Sequence, residues 1–474
     1  MISIIPVGFA LIGLYWLRWV IWKRKELPIV IPILFTCFFL PKINLIKVST
    51  LSTAGIRIDD FLTLLLLLIA IMDPATYRHK AVKWGVRILL LLSAVNLLSV
   101  FVGRMKGYDN SILHSILMVV RKFEYFAFVP VGIYTARKLK NPYKTFYSEF
   151  TWMSVLHMLP AVLQVVGKVS YAVNGIDQGD YLHGTAVSTF NGYYEYGQFL
   201  CFGCAVYICD LLRGGDAVRL WKTIIPASLI MLPLTLGMLV LSNSRTSLLT
   251  GLIIVAIALM FPIRKTISRP RLILLGYGFL GVLLAGVLVY SGVLGTSVLR
   301  RLGELNMDDI VGKPARELLA RGNFRQYVTM TRTGEFEYNA IDTLDYLSKV
   351  SDYSAAVRLL KWGACLDGFR LNPLLGYGTG VLHVIDGHYV RLLGETGILG
   401  TVLWLVFYGG MMRFAWQSRR ESHFAKAVIL VMISILLNAI TIDMFDASRP
   451  MEMMYLFVGG VLAVAALHTK GEIQ

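Results

Sequence analysis

The sequence predicts an all-α polytopic integral membrane protein, with 12–13 transmembrane helices and one large extracytoplasmic helical loop. Three observations carry this. Of the 474 residues, 56% are hydrophobic and only 16% are charged, with a mean hydropathy of +0.64, whereas a soluble domain carries about 25% charged residues. Apolar runs approaching the ~20 residues needed to cross a bilayer recur along the whole chain. Lysine and arginine cluster in alternate connections between those runs.

In order, spans are expected near 3–22, 28–46, 58–73, 84–103, 115–136, 149–167, 193–212, 221–242, 246–262, 271–291, 392–412, 425–441 and 451–468. The first reads as an anchor rather than a cleavable leader, because no basic stretch precedes it and "KRK" (23–25) follows it. The second is the weakest, broken by Pro28, Pro32 and Pro41, which leaves twelve or thirteen crossings. Basic loops at 23–25, 78–83, 137–144, 213–222, 264–271 and 413–426 place the N-terminus outside and the C-terminus inside. The net charge of +17 is therefore mostly topological and makes no case for nucleic acid.

Cys37, Cys201, Cys204 and Cys209 lie in apolar segments and Cys365 in the long loop. The Cys201/Cys204 pair has no second pair or nearby histidine, so it reads as packing, and no metal site or disulfide framework is expected. Three regions follow: an N-terminal transmembrane bundle (1–290), a large extracytoplasmic loop (291–390) and C-terminal helices (391–474). Up to His388 the loop holds as many Asp/Glu as Lys/Arg, eleven of each, so it is not an electrostatic arm. Helical spacing of Leu344, Leu347, Val350, Val357, Leu360 and Ala364 predicts helix over 342–370. "LNPLLGYGTGV" (371–381) then turns the chain. A loop of this length is uncommon unless it is functional.

Polar residues that could carry chemistry gather on the outer side. In "DGHYVRLLGETGILG" (386–400), His388, Arg391 and Glu395 fall on one helix face, where an ion pair is the plain alternative to a site. Arg245 opens a span in "SNSRTS", where a snorkelling arginine is the plain alternative. Arg358 stands one turn before Trp362 on the loop helix, and Arg121, Lys122 and Glu124 interrupt the apolar span 115–136. "STFNGYYEYGQFL" (188–200) brings Glu195 to the outer end of its span. Guanidinium groups bind phosphate bidentately and stay charged, while imidazole can take a proton near neutral pH. Nucleotide-binding and zinc-hydrolase motifs are missing, so energy for a transfer would come from an activated lipid-linked donor.

Three stretches, in order, resemble the O-antigen ligase/polymerase superfamily of bacterial envelope glycosyltransferases. They are "SNSRTSLLTGLIIVAIALM" (242–260), "RLLKWGACLDGFRLNPLLGYGTG" (358–380) and "GHYVRLLGETGILG" (387–400). "STFNGYYEYGQFL" is similar to a stretch of the exopolysaccharide polymerases in that group. The sequence departs from many members at Gly387-His388-Tyr389, where they have His-Asn before the tyrosine. The resemblance implies a GT-C-like, metal-independent, inverting glycosyl transfer at the outer face of the bacterial cytoplasmic membrane, with no cofactor. It implies an undecaprenyl-pyrophosphate-linked oligosaccharide donor, a saccharide acceptor (lipid-linked or lipid A-core), and a chain-length regulator as partner. Carried over, Arg245 and Arg358 hold the pyrophosphate and His388 is the general base. Helical geometry adds Arg391 as a further phosphate contact, with Arg121, Glu195 and Glu395 on the cavity wall. The readings it leaves are a polymerase, a ligase acting on lipid A-core, and an oligosaccharyltransferase acting on protein. A flippase or transporter would instead place its charges near the bilayer midplane.

Overall fold

A computed structural model describes residues 2–23, 28–47, 55–108, 112–170, 184–213, 227–260, 326–331, 336–339, 342–343, 346, 353–382, 385–419 and 422–469. Within these the chain is an all-α polytopic membrane protein. The helices are α1 (Ile4–Arg18), α2 (Val30–Phe39), α3 (Ile58–Ile71), α4 (Pro74–Tyr77), α5 (Lys80–Met105), α6 (Ile112–Phe126), α7 (Phe128–Arg137) and α8 (Pro142–Val165). They continue as α9 (Tyr193–Leu211), α10 (Ala227–Leu241), α11 (Arg245–Met260), α12 (Tyr353–Leu371), α13 (His388–Gln417), α14 (His423–Asn438) and α15 (Ser448–Thr469). Two short antiparallel hairpins, β1–β2 (Asn44–Lys47, Gly55–Arg57) and β3–β4 (Val328–Met330, Phe336–Tyr338), complete the described elements.

Four described helices, Ile4–Ile21, Lys80–Met105, His388–Gln417 and Ser448–Ala466, are long and apolar enough to cross a membrane. Leu64, Leu65 and Leu68 of α3 and Leu90, Leu91, Leu97 and Leu98 of α5 face outward, which suits hydrocarbon rather than water. The core of the bundle is α15. It packs on α7 so closely that Gly132 and Gly459 meet with no room for a side chain on either, the small-residue contact typical of membrane helices. α14 lies on α9, and α13 lies along α5, where Trp84 stacks on Phe407 at 6.2 Å.

Two expected spans differ in form. Residues 28–46 hold only the ten-residue helix α2 before Leu40 turns extended and the chain enters β1. Ten residues rise about 15 Å, half of the ~30 Å hydrocarbon core. The span expected at 115–136 is two helices, α6 and α7, broken at Ala127, because Pro130 cannot donate the backbone bond that would continue α6. In the loop the described helix begins at Tyr353, and the repeat from Leu344 to Val350 lies outside the described residues, as does the span 271–291.

Buried ionic groups tie one end of this bundle together. Lys42 bonds Asp59 and Glu452, Arg57 reaches Asp60, Glu124 and Ser448, and Arg449 donates to the carbonyls of Thr189 and Leu40. Burying so many charges is tolerable only because each finds a counter-charge or carbonyl.

Candidate active site

The site is built where α13 begins. Gly387, with φ 138, swings the chain into the helix, and the amide of His388 donates to the carbonyl of Ala439 at 2.9 Å. The His388 ring is 5% exposed and sits among Phe445 (centroids 4.7 Å apart) and Trp404 (5.6 Å). Neither ring nitrogen has a hydrogen-bond partner among the described residues. A buried imidazole in this condition is costly unless a substrate supplies the missing partner.

The loop helix α12 lands immediately before this residue. Arg358 Nε donates to Asp386 Oδ2 at 3.1 Å, and Trp362 Nε1, one turn later, donates to the Asp386 carbonyl at 2.6 Å. Four-residue spacing puts both side chains on one helix face, so the arginine and the tryptophan grip the same residue, two positions from His388.

A second contact explains the Asn-Pro-Leu-Leu-Gly-Tyr-Gly stretch. Helix α13 is interrupted at Gly397, whose φ of 61 and ψ of −163 are non-helical. The interruption leaves helix amides and carbonyls without intrahelical partners, and the loop supplies them. Ile398 and Leu399 donate to the carbonyls of Pro373 and Leu374 at 2.8 and 3.2 Å. Tyr377 and Gly378 donate to the carbonyls of Gly394 and Glu395 at 2.8 and 2.9 Å. Gly376, Gly378 and Gly380 all have positive φ, which is how three alternating glycines wrap the segment round the helix. Irregular backbone at membrane depth is tolerated when its polar groups are satisfied in this way.

Arg391 and Glu395 do share a face, but not with an open phosphate site. The Arg391 guanidinium meets Glu395 at 3.1 Å, Asp443 at 3.0 Å and Asp446 at 2.7 Å. Glu395 Oε1 also accepts from the Leu382 amide at 3.3 Å. Three carboxyl groups already engage this guanidinium, so the geometry does not support Arg391 as a further phosphate contact. Its visible work is to hold the α14–α15 connection against α13. In that connection burial pushes the Asp443 carboxyl up to about 7, with Arg391 opposing. Arg391, His388 and Lys122 outweigh burial at Asp446 and keep its carboxyl below the usual range.

A prediction follows from Asp443. Between the ordinary 3.8 and about 7 the folded protein holds a proton that the unfolded chain has lost. This group therefore lowers stability as pH rises through that window, and the loss is complete above it. Melting temperatures at pH 5 and pH 7.5 should converge in Asp443→Asn relative to the native protein; an unchanged difference would remove Asp443 as the titrating group.

Arg245 is the first residue of α11, after Asn243 turns the chain with φ 57. Its neighbour Thr246 accepts from Thr441 at 2.9 Å, and Thr250 donates to Asn438 at 3.1 Å. Both contacts bring the Arg245 turn to the end of α14, whose last carbonyl region also anchors His388. Glu195 stays local, with its carboxylate accepting from the backbone and side-chain amides of Asn191 at 3.4 Å. Glu195 is buried, within electrostatic reach of Arg449.

Arg121 is not on the His388 side of α6. It donates to the Gly55 carbonyl at 2.6 Å and meets Glu124 at 3.8 Å. Its neighbour Lys122 is the residue that lines a cavity with His388 and Asp446. The sequence flags Lys122 within the charged run 121–124, where Arg121 is the residue expected on the cavity wall, and it does not single out Asp443 or Asp446. The available signal was "TIDMFDASR" (441–449), two acids and an arginine between two apolar runs.

Residues 229–405, which contain Arg245, Arg358 and His388, match the family model described as O-antigen ligase. Over this segment the chain is similar to the O-antigen ligase family. No curated protein matches the chain. The match runs from α10 through the loop to mid-α13, so the matched segment carries both gripping contacts described above. The α14–α15 connection and α6 lie beyond it, yet they complete the surroundings of His388.

Proposed function

We propose that the protein is a polysaccharide polymerase. It transfers a glycan from undecaprenyl pyrophosphate onto a lipid-linked saccharide acceptor at the outer face of the cytoplasmic membrane. The observation that carries this reading is the buried His388 ring, unpartnered among the described residues and joined through Asp386 to the loop arginine Arg358, inside the segment that matches the O-antigen ligase family. In this reading the acceptor hydroxyl oxygen attacks the anomeric carbon and its proton passes to a His388 nitrogen. The carbon–oxygen bond to pyrophosphate breaks on the opposite face, inverting the centre. Arg245 and Arg358 take up the charge of the leaving pyrophosphate. Pyrophosphate departs readily once its charge is met, so a base, two cations and the alignment of two substrates suffice. Glu195, Glu395 and Arg121 are supporting residues, and Arg391 holds the acidic connection in place.

A second reading, ligation of the glycan to lipid A-core, is favoured by the match of residues 229–405 to the O-antigen ligase family. The stretch "STFNGYYEYG" favours the polymerase. Purified protein given a lipid-linked repeat unit and lipid A-core decides between them. Longer lipid-linked chains are the expected product, and glycosylated lipid A-core alone would overturn the polymerase.

Donor binding tests the arginines. Arg245→Ala and Arg358→Ala are each expected to weaken binding of undecaprenyl pyrophosphate by roughly tenfold to a hundredfold, the worth of a charge-assisted hydrogen bond. Unchanged binding in both variants would remove the pyrophosphate assignment.

A further inference from the structure

Arg391 was the cation that helical geometry placed beside His388, and it is held by three carboxylates. Another cation faces the same histidine. We propose that Lys122 is a phosphate-binding residue of this site, the positive charge that meets the donor's pyrophosphate next to His388. The proposal deepens the reading above and rests on its donor assignment.

Lys122 lies on α6 and lines a cavity of about 30 Å³ with Tyr125, His388, Trp404, Phe445 and Asp446 among its walls. Among the described residues its ammonium makes neither an ion pair nor a hydrogen bond, although Asp446 and Glu395 are within electrostatic reach. Both carboxylates are already engaged: Asp446 by Arg391 at 2.7 Å and Glu395 by Arg391 at 3.1 Å. Tyr125 is engaged as well, donating to the Asp446 carbonyl at 3.1 Å. The polar groups that remain open to this cavity are the Lys122 ammonium and the two nitrogens of His388.

The cavity also lies at His388, the first residue of the α13 segment that runs to the break at Gly397. Helix amides there carry partial positive charge that favours an anion. The Lys122 ammonium thus faces the same small space as the His388 ring. A water-sized group needs about 10–15 Å³, so the space has room for a phosphate oxygen. Lysine suits that task as a point charge whose three donors do not require a planar partner. Arg121, the adjacent residue, cannot substitute, since its guanidinium points to Gly55 and Glu124.

The test uses the full chain in lipid nanodiscs, with undecaprenyl pyrophosphate as the probe. Lys122→Gln is expected to weaken its binding roughly tenfold to a hundredfold, and Lys122→Arg to restore most of the loss. Lys122 is half-buried and makes no direct ion pair among the described residues, so its neutralisation should lower the melting temperature little. A lysine with a purely structural role would do the reverse, lowering the melting temperature with affinity intact, and that result overturns the proposal. Inorganic pyrophosphate is the second probe. If it competes with the lipid, the anion alone is recognised; if it does not, the lipid pyrophosphate is the ligand, and either result keeps Lys122 as its contact. Weakened binding in Arg245→Ala with native affinity in Lys122→Gln would sink this inference alone. Native affinity in both, and in Arg358→Ala, would sink the donor reading itself.

Discussion

Replacing His388 by alanine is expected to lower the rate of glycan transfer by roughly 10²–10⁴-fold, the usual worth of a general base. Donor binding should hardly change, because Arg245 and Arg358 are untouched and act on the other substrate. The protein should still accumulate and fold. The truncation opens space beside Phe445 and Trp404, but it also removes two buried nitrogens that have no partner among the described residues. These effects oppose one another, the first costing a cavity and the second relieving an unsatisfied polar group. Transfer assayed with saturating lipid-linked donor separates the cases. A rate within threefold of the native protein would exclude His388 as the base, whatever its position.

The second large effect is expected at Gly397. Its backbone occupies a region that residues with a side chain avoid, and an added Cβ would run into the peptide joining Leu374 to Leu375. Gly397→Ala must therefore either strain the chain or release the loop from α13. Release gives up four backbone hydrogen bonds, those of Tyr377, Gly378, Ile398 and Leu399. At about 1 kcal/mol each, with about 1–3 kcal/mol of strain as the alternative, the variant should lose several kcal/mol locally. Hydrogen exchange should speed up at the amides of Tyr377 and Gly378, and transfer should fall with it. Native exchange at both amides together with native activity would show that the loop is held by something else.

Much of this architecture was legible because the bilayer imposes a simple rule. Long apolar runs become helices, and α5, α9, α13 and α15 fall within a few residues of where their runs place them. Where the rule is incomplete, the sequence reading was too. A run containing Pro28, Pro32 and Pro41 has the hydropathy of a span but makes only α2, because hydropathy does not count backbone hydrogen bonds. At the candidate site, spacing showed correctly that Arg391 and Glu395 share a face. It could not show that Asp443 and Asp446, about fifty residues later, would reach the same guanidinium. Nor could it show which of the adjacent cations Arg121 and Lys122 lines the cavity. On α6 Lys122 is the neighbour of Arg121, and adjacent helical residues point about 100° apart, so two like charges in a row can serve different surroundings.

The buried ionic end of the bundle also has a history in time. Lys42 and Asp59 are 17 residues apart and can meet soon after both are made. Glu452 follows Lys42 by 410 residues, and Arg449 reaches a carbonyl 409 residues behind it. At ribosomal speeds of about 5–20 residues per second, roughly 20–80 s separate the first partner from the last. For that interval the early helices sit in the membrane with their charges incompletely matched. The floor beneath His388, the α14–α15 connection, is also among the last parts to be made. A ribosome that stops before α15 therefore leaves a chain that has most of its hydrophobic mass and no assembled centre. Synthesis of the final helix is the event that closes the molecule.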